Sequence, residues 1–373
     1  MAEDAVLVEE IVDDDDVLDI NSDEEILPVT YEITSYGADY PVDGLIRRLN
    51  DGDVVIPSFD PEFAGDDEVR GFQRRFVWTR PQMDRFIESL LLGLPVPGVF
   101  LVKDQKNRQL VLDGQQRLRT LQAYYRGIHA GREYKLRYVQ KIFRDLAYSE
   151  LDPEDRRRLN DSIIHATVLR QESPAGTQDA IYTIFERLNT GGSTLQPQEI
   201  RVALYNGPFM ALIARLNDDL NWRALYGPLS SRFKDQELIL RVLALYEEPA
   251  AYTRPVKGYL NHYLERHQMR GAAEAGSSPT RFREAARLIN EAIGTRAFRP
   301  VRPLNAAVLD SVTVAVMSRL DRGAITDLGA FVAAYDSLVA KTEYLAATTS
   351  STAAEESVRE RLTLAAEAFQ AVP

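Results

Sequence analysis

Beyond Gln196 the sequence changes period, and that change limits the fold more than any other feature of the chain. Downstream, segments such as EIRVALYNG, FMALIARLN and DQELILRVLALYEE place apolar residues every three or four positions, the spacing of amphipathic helices. Further helical runs fall around 281–295 and 304–320. Upstream, short apolar runs of strand type alternate with helical stretches. The expected fold class is therefore α+β: a mixed α/β N-terminal domain followed by an all-helical C-terminal domain. The expected division is an acidic disordered tail over 1–27, the mixed domain over 28–200 and the helical domain over 201–373. No internal repeat is present.

Within the mixed domain, YPVDGLIRRLNDGDVVIPSF reads as a short helix, an Asp-Gly turn and a strand at Val54–Ile56. The stretch from Asp60 to Gly71 reads as an acidic surface loop. Thr79-Arg80-Pro81-Gln82 has a capping residue, an early proline and a glutamine three positions on, which together announce a helix start. Met83, Phe86, Ile87, Leu90 and Leu91 supply its buried stripe and Gly93 its end. Strands are expected at Gly98–Val102 and Gln109–Leu112, and a third over SIIHATVLR. Thr177 should cap a helix that buries Ile181, Ile184, Phe185 and Leu188 and ends at Asn189-Thr190-Gly191-Gly192.

Charge is distributed unevenly. The net charge is -12, yet residues 1–25 hold twelve acids and no Lys or Arg, which leaves the remainder with 44 of each sign. Such a block repels itself and lacks an apolar face. It reads either as a solubilising tail or as an acidic strip that competes with nucleic acid or nucleotide for a basic groove. From Lys103 to Arg144 there are eleven Lys or Arg against three acids, so a basic surface is expected there.

Other classes are excluded by composition. There are no cysteines, so disulfide scaffolds, cysteine nucleophiles and thiolate metal sites are ruled out. The four histidines are His129, His165, His262 and His267. His165 lies inside an apolar strand and reads as a packed core residue, and His129 as a loop residue between glycines. His262 and His267 read as surface or helix-cap residues, five apart and so poorly placed to share a helix face. The start MAEDAVLVEE lacks an export signature. The apolar stretch from Leu90 to Val102 is broken by Gly93, Pro95, Pro97 and Gly98, so it cannot span a bilayer. A cytoplasmic location without membrane association follows as the expectation.

The chemistry concentrates at LVLDGQQRLRTL, where a strand runs into Asp113 and a helix begins at once. Gly114 allows a tight turn and close approach of a ligand. Gln115, Gln116 and Arg117 occupy the first helical turn, whose unpaired amides and positive dipole end favour phosphate. Asp113 can hold a metal ion or orient a water, and oxygen ligands without sulfur favour Mg²⁺. The competing reading is structural: Asp113 caps the helix and Arg117 pairs with a nearby acid. There is no G-x-x-x-x-G-K-[ST], which disfavours a P-loop NTPase. Around Trp78, the run Arg70, Phe72, Arg74, Arg75, Phe76, Trp78, Arg80 suits either a nucleic-acid groove or a strand with aromatics turned inward.

In order along the chain, FQRRFVW, ESLLLGLPVPGVFL, LVLDGQQRLRTL and FERLNTGGSTLQPQEIR resemble the N-terminal domain family of GmrSD-type modification-dependent restriction enzymes. The resemblance runs from about Tyr31 to Gly207 and implies a ParB/sulfiredoxin-like fold. It also implies nucleotide-dependent action in phage defence, with the Asp113–Arg117 motif binding or hydrolysing a nucleoside triphosphate, GTP or ATP, with Mg²⁺. Carried over residue by residue, Gln73 and Arg74 match the first motif, and Asp113, Gly114, Gln115, Gln116 and Arg117 the second. Arg187, Asn189 and Gly191 match the third. Catalytic roles fall to Asp113, Gln115, Gln116 and Arg117, nucleotide binding to Gln73, Arg74, Gly114, Arg117, Arg187 and Asn189, and metal binding to Asp113. Two departures stand out. The acidic loop separates Ile56-Pro57 from Phe72-Gln73-Arg74, and the HNH-type nuclease partner domain of many relatives is not evident. The implied partners are nucleotide, modified or phage DNA, and an effector nuclease. A homo-oligomer is compatible with the reading. The alternative function is a ParB-like DNA-binding or DNA-nicking protein without NTPase activity.

Overall fold

The structure is a computed structural model that describes residues 17–18, 32–56, 78–103, 107–173, 179–188, 196–300 and 303–373. The chain divides into two compact units, one of residues 29–195 and one of residues 1–28 with 196–373. In chain order the first described element is a two-residue strand, Val17–Leu18 (β1). The α/β unit follows with Glu32–Pro41 (β2), Val42–Asp51 (α1), Val54–Val55 (β3), Arg80–Leu91 (α2), Val99–Lys103 (β4), Gln109–Asp113 (β5) and Gln115–Arg126 (α3). It continues with Ile128–His129 (β6), Arg132–Glu133 (β7), Pro153–Asp161 (α4), Ile163–Ser173 (β8) and Asp179–Leu188 (α5).

Five of these strands form one mixed sheet in the order β2-β8-β4-β5-β3. β2 and β8 are antiparallel, β8 and β4 parallel, β4 and β5 antiparallel, and β5 and β3 parallel. Strand alternation sends Val99 and Leu101 of β4, Val111 of β5, and Ile164, Ala166 and Val168 of β8 to one face. There they meet Leu45 and Ile46 of α1, Met83, Ile87 and Leu90 of α2, and Leu118, Leu121 and Tyr124 of α3. Each large side chain buried this way contributes about 1.5–3 kcal/mol. The other face of the sheet is also covered: Val102 and Leu112 are buried, and α5 packs against β5 with Ala180, Ile181, Tyr182 and Phe185 buried.

Local signals explain the helix starts. Thr79 and Gln82 form the expected capping box ahead of α2, with Gln82 Oε1 accepting from the Thr79 amide at 2.8 Å. Asp152 caps α4 by accepting from the amides of Glu154 (2.9 Å) and Asp155 (2.8 Å).

The second unit is helical: Pro197–Leu204 (α6), Pro208–Asn217 (α7), Leu220–Tyr226 (α8), Lys234–Glu247 (α9), Val256–His267 (α10) and Ser278–Ala292 (α11). A two-residue strand, Leu304–Asn305 (β9), precedes Ala306–Leu320 (α12), Leu328–Ala340 (α13), Thr342–Thr349 (α14) and Glu355–Gln370 (α15). α12 is buried along nearly its whole length and packs against α9, α11 and α15. At its centre the fully buried Asp310 carboxylate takes two hydrogen bonds from Arg361, at 2.9 and 2.8 Å, and lies 2.6 Å from Arg241 Nη2. Arg201 fills a second buried polar site, donating to Glu237 (2.7 Å) and Asn261 (2.9 Å).

Three expectations are corrected. The acidic tail is not structureless throughout, because Val17 and Leu18 pair in parallel with Leu304 and Asn305. These two residues interrupt the acidic run with apolar β-formers, which suits a backbone edge. His165 is not a core residue: its side chain is 78% exposed and its Nδ1 meets Asp39 on the facing strand. Ile164 and Ala166 take the core face, so alternation turns His165 outward. His129 lies in β6, which pairs with β7, rather than in a loop. The expected acidic loop over 60–71, the flanking Arg70, Phe72, Arg74, Arg75 and Phe76, and the Thr177 cap lie outside the described residues.

Replacing Asp310 by Ala leaves two buried guanidinium groups without their carboxylate. The variant should lose about 3–5 kcal/mol of stability, read as a lowered denaturation midpoint in urea; a loss below about 1 kcal/mol would contradict the triad's role.

Candidate functional site

β5 delivers the chain to Asp113, and a register shift in the β4–β5 ladder brings Asp113 opposite Phe100 instead of Leu112. Gly114 then turns the chain in the left-handed region, with φ 96° and ψ 9°. The first helical bond of α3 runs from Leu118 N to Gly114 O at 3.0 Å. The amides of Gln115, Gln116 and Arg117 therefore have no acceptor within the helix, and no acid stands in its first turn. No carboxylate within that turn offsets the positive end of the helix dipole.

The expected close approach at Gly114 is made by protein, not left for a ligand. A Cβ there would sit 2.5 Å from Val99 Cγ1 and 3.0 Å from Val99 Cβ. Glycine is required twice over, by the positive φ and by the neighbouring strand.

Arg117 takes up the structural role that the sequence left open. Its Nη2 pairs with Asp113 Oδ2 at 2.8 Å and its Nη1 donates to the Gly98 carbonyl. Asp113 itself does not cap the helix; the cap position is Gly114 and no side chain bonds there. Asp113 is 45% exposed and Arg117 12% exposed, so the pair has one face in the protein and one in solvent. Gly98 is also tightly held, since a Cβ there would lie 2.7 Å from His165 O.

The two glutamines differ. Gln116 Oε1 accepts from the Trp78 amide at 3.4 Å, which ties the end of the FQRRFVW motif to the first turn of α3. Trp78 in turn packs edge-on against Phe86 at 5.5 Å. Arg80, the last arginine of that run, faces inward. It bonds Asp84 at 2.9 Å and the Lys135 carbonyl at 2.5 Å, and its guanidinium lies 3.9 Å from the Tyr134 ring centre. Gln115 is half-buried.

Sequence reasoning passed over Arg119. It lies one turn after Gln115 on the same helix face, and it is half-buried with no ion pair or hydrogen bond among the described residues. Removal from water lowers its pKa from the ordinary arginine value, so an anion beside it would be favourable. The signal available beforehand was its spacing of four from Gln115.

The remaining expected residues separate. Arg187 is exposed on the last turn of α5, the helix that packs on β5. Gln73, Arg74, Asn189 and Gly191 lie outside the described residues. Among the described residues no three His, Asp or Glu side chains gather for a metal ion. His262 is exposed, and His267 bonds Glu248 Oε1 at 2.7 Å on a separate unit.

These features, a strand ending in Asp-Gly and a helix opening on Gln-Gln-Arg, coincide with a family match. Residues 58–206 match the model of the GmrSD restriction endonuclease, N-terminal domain. Over that stretch the chain is similar to a GmrSD-type N-terminal domain. A further match is an uncharacterized protein of Methanocaldococcus jannaschii, 30% identical over 102 residues. That alignment covers 21% of this chain and spans 15% of the relative's length. The described part of the matched stretch holds the β5–α3 junction, α5 and the first turns of the helical region. No helix among the described residues is long and apolar enough to cross a membrane.

Replacing Gly114 by Ala forces both a left-handed alanine and a clash with Val99. We expect a loss of about 2–4 kcal/mol by thermal unfolding. The double variant with Val99→Ala should recover part of it, and an unperturbed single variant would show that the turn can shift freely.

Proposed function

We propose that the GmrSD-type domain binds a nucleoside triphosphate, ATP or GTP, with Mg²⁺, and that the protein serves in a restriction or anti-phage defence system alongside a partner effector. The observation that carries this reading is the opening of α3. Three amides without helical acceptors, a first turn that holds no acid, and Arg117 in that same turn stand together, with Arg119 one turn on from Gln115. That set favours a polyphosphate. The family of restriction endonucleases supplies the setting.

The residues fit the metal as well. Arg117 bonds Oδ2 of the Asp113 carboxylate, whose side chain is 45% exposed. One carboxylate oxygen together with phosphate oxygens and water is an ordinary environment for Mg²⁺. Bound there, the ion would neutralise phosphate charge. Arg117, fixed between Gly98 and Asp113, offers a preset cation, while Arg119 gains a counter-ion that it lacks. Gln116 is committed to Trp78, so Gln115 is the glutamine left to orient a water.

The test is a calorimetric titration of the full chain with each triphosphate and Mg²⁺, with phosphate release followed in parallel. Arg117→Ala and Arg119→Ala should each weaken binding about tenfold or more, since a charge-assisted contact is worth about 1.5–3 kcal/mol. Arg119 makes no structural bond, so its variant should melt like the parent. If no triphosphate binds, or if both variants bind as the parent does, the motif is a structural joint and the reading fails.

A further inference from the structure

Residues 137–144, in the loop after β7, are built in an unusual way. The backbone is fixed from within. Leu136, Val139 and Phe143 are buried. Asp84, fully buried on α2, accepts from the amides of Arg137 at 2.9 Å and Tyr138 at 3.1 Å. Glu88 on the same helix accepts from the Gln140 amide at 2.6 Å. Asp84 and Glu88 are thus spent on its main chain, and Asp84 on Arg80 as well.

The outward side chains are consequently left without carboxylates. Arg137, Lys141 and Arg144 are all exposed, and among the described residues none of their side chains makes an ion pair or hydrogen bond. Elsewhere in the same unit Arg80, Arg117 and Arg158 all bond carboxylates. Between the free cations stand two large apolar side chains, Tyr138 at 54% and Ile142 at 68% exposure. The next residue in sequence is the exposed Asp145.

We propose that residues 137–144 bind single-stranded nucleic acid. Arg137, Lys141 and Arg144 meet phosphates, Tyr138 stacks on a base, and Ile142 packs beside it. Unpaired cations in a row match a phosphate backbone, and an aromatic ring held on a fixed loop is the stacking platform that unpaired bases need. A duplex hides the faces of its bases and would use only the cations, leaving Tyr138 and Ile142 in water. A single strand satisfies both sets. The proposal stands apart from the triphosphate reading, because none of its residues belongs to the β5–α3 junction.

The experiment is fluorescence anisotropy of the full chain with a labelled oligothymidylate, and with a duplex of equal length, over a range of salt. Stacking predicts that Tyr138→Ala weakens oligothymidylate binding roughly five- to a hundredfold, while Tyr138→Phe retains it. Arg144→Ala should lower the salt slope by about 0.7. Both side chains are exposed, so melting curves should match the parent, and triphosphate binding on the same variants should be unaltered. Absence of oligothymidylate binding at low salt overturns the proposal. So does binding that ignores Tyr138→Ala, or a duplex bound as tightly as the single strand.

Discussion

The Arg117 guanidinium joins three parts of the α/β unit at one point. It takes the carbonyl of Gly98 where β4 begins, the carboxylate of Asp113 where β5 ends, and its own place in the first turn of α3. Two antiparallel strands and the helix that follows them are thereby set in a fixed relation. Because the pair is only partly shielded, its strength comes less from charge than from geometry: a planar donor fork satisfies two acceptors that differ in kind. The opening of α3, with its three amides free of helical acceptors and the half-exposed carboxylate before it, rests on that positioning.

The same junction is held by contacts that serve the frame itself. Gly114 is demanded by Val99 before any ligand is considered, and Gln116 is drawn toward Trp78. These contacts hold the turn rigid, which is what a binding site needs from its frame. Arg119 belongs to the other class. Among the described residues it makes no bond, and its burial lowers its pKa.

Much of the architecture was legible because its signals are local. The change in period near Gln196, the Thr79–Gln82 capping box and the strand-to-helix switch at Asp113 all depend on neighbours within a few residues, and the structure contains each. What escaped depends on pairing across distance. His165 looks buried when read along its strand, but the register with Asp39 and the core claims of Ile164 and Ala166 turn it out. The acceptor for Arg117 on Gly98 lies nineteen positions back, and no spacing rule points to a backbone carbonyl. The inward orientation of Arg80 likewise depends on Asp84 and on the Tyr134 ring, the latter far away in sequence. Val17–Leu18 could not be matched to Leu304–Asn305 from either segment alone, since two residues carry too little pattern.

That last pairing makes the helical unit discontinuous in sequence. A stretch near the first residues is clasped to one nearly three hundred positions later, with the whole α/β unit strung between them. On a ribosome the mixed sheet can form as soon as residues 29–195 have emerged, whereas the clasp must wait until β9 is made. Closing so long a loop is entropically costly for a two-residue ladder. The two-residue ladder is therefore a part of the helical unit that can be completed only once the whole α/β unit has been made.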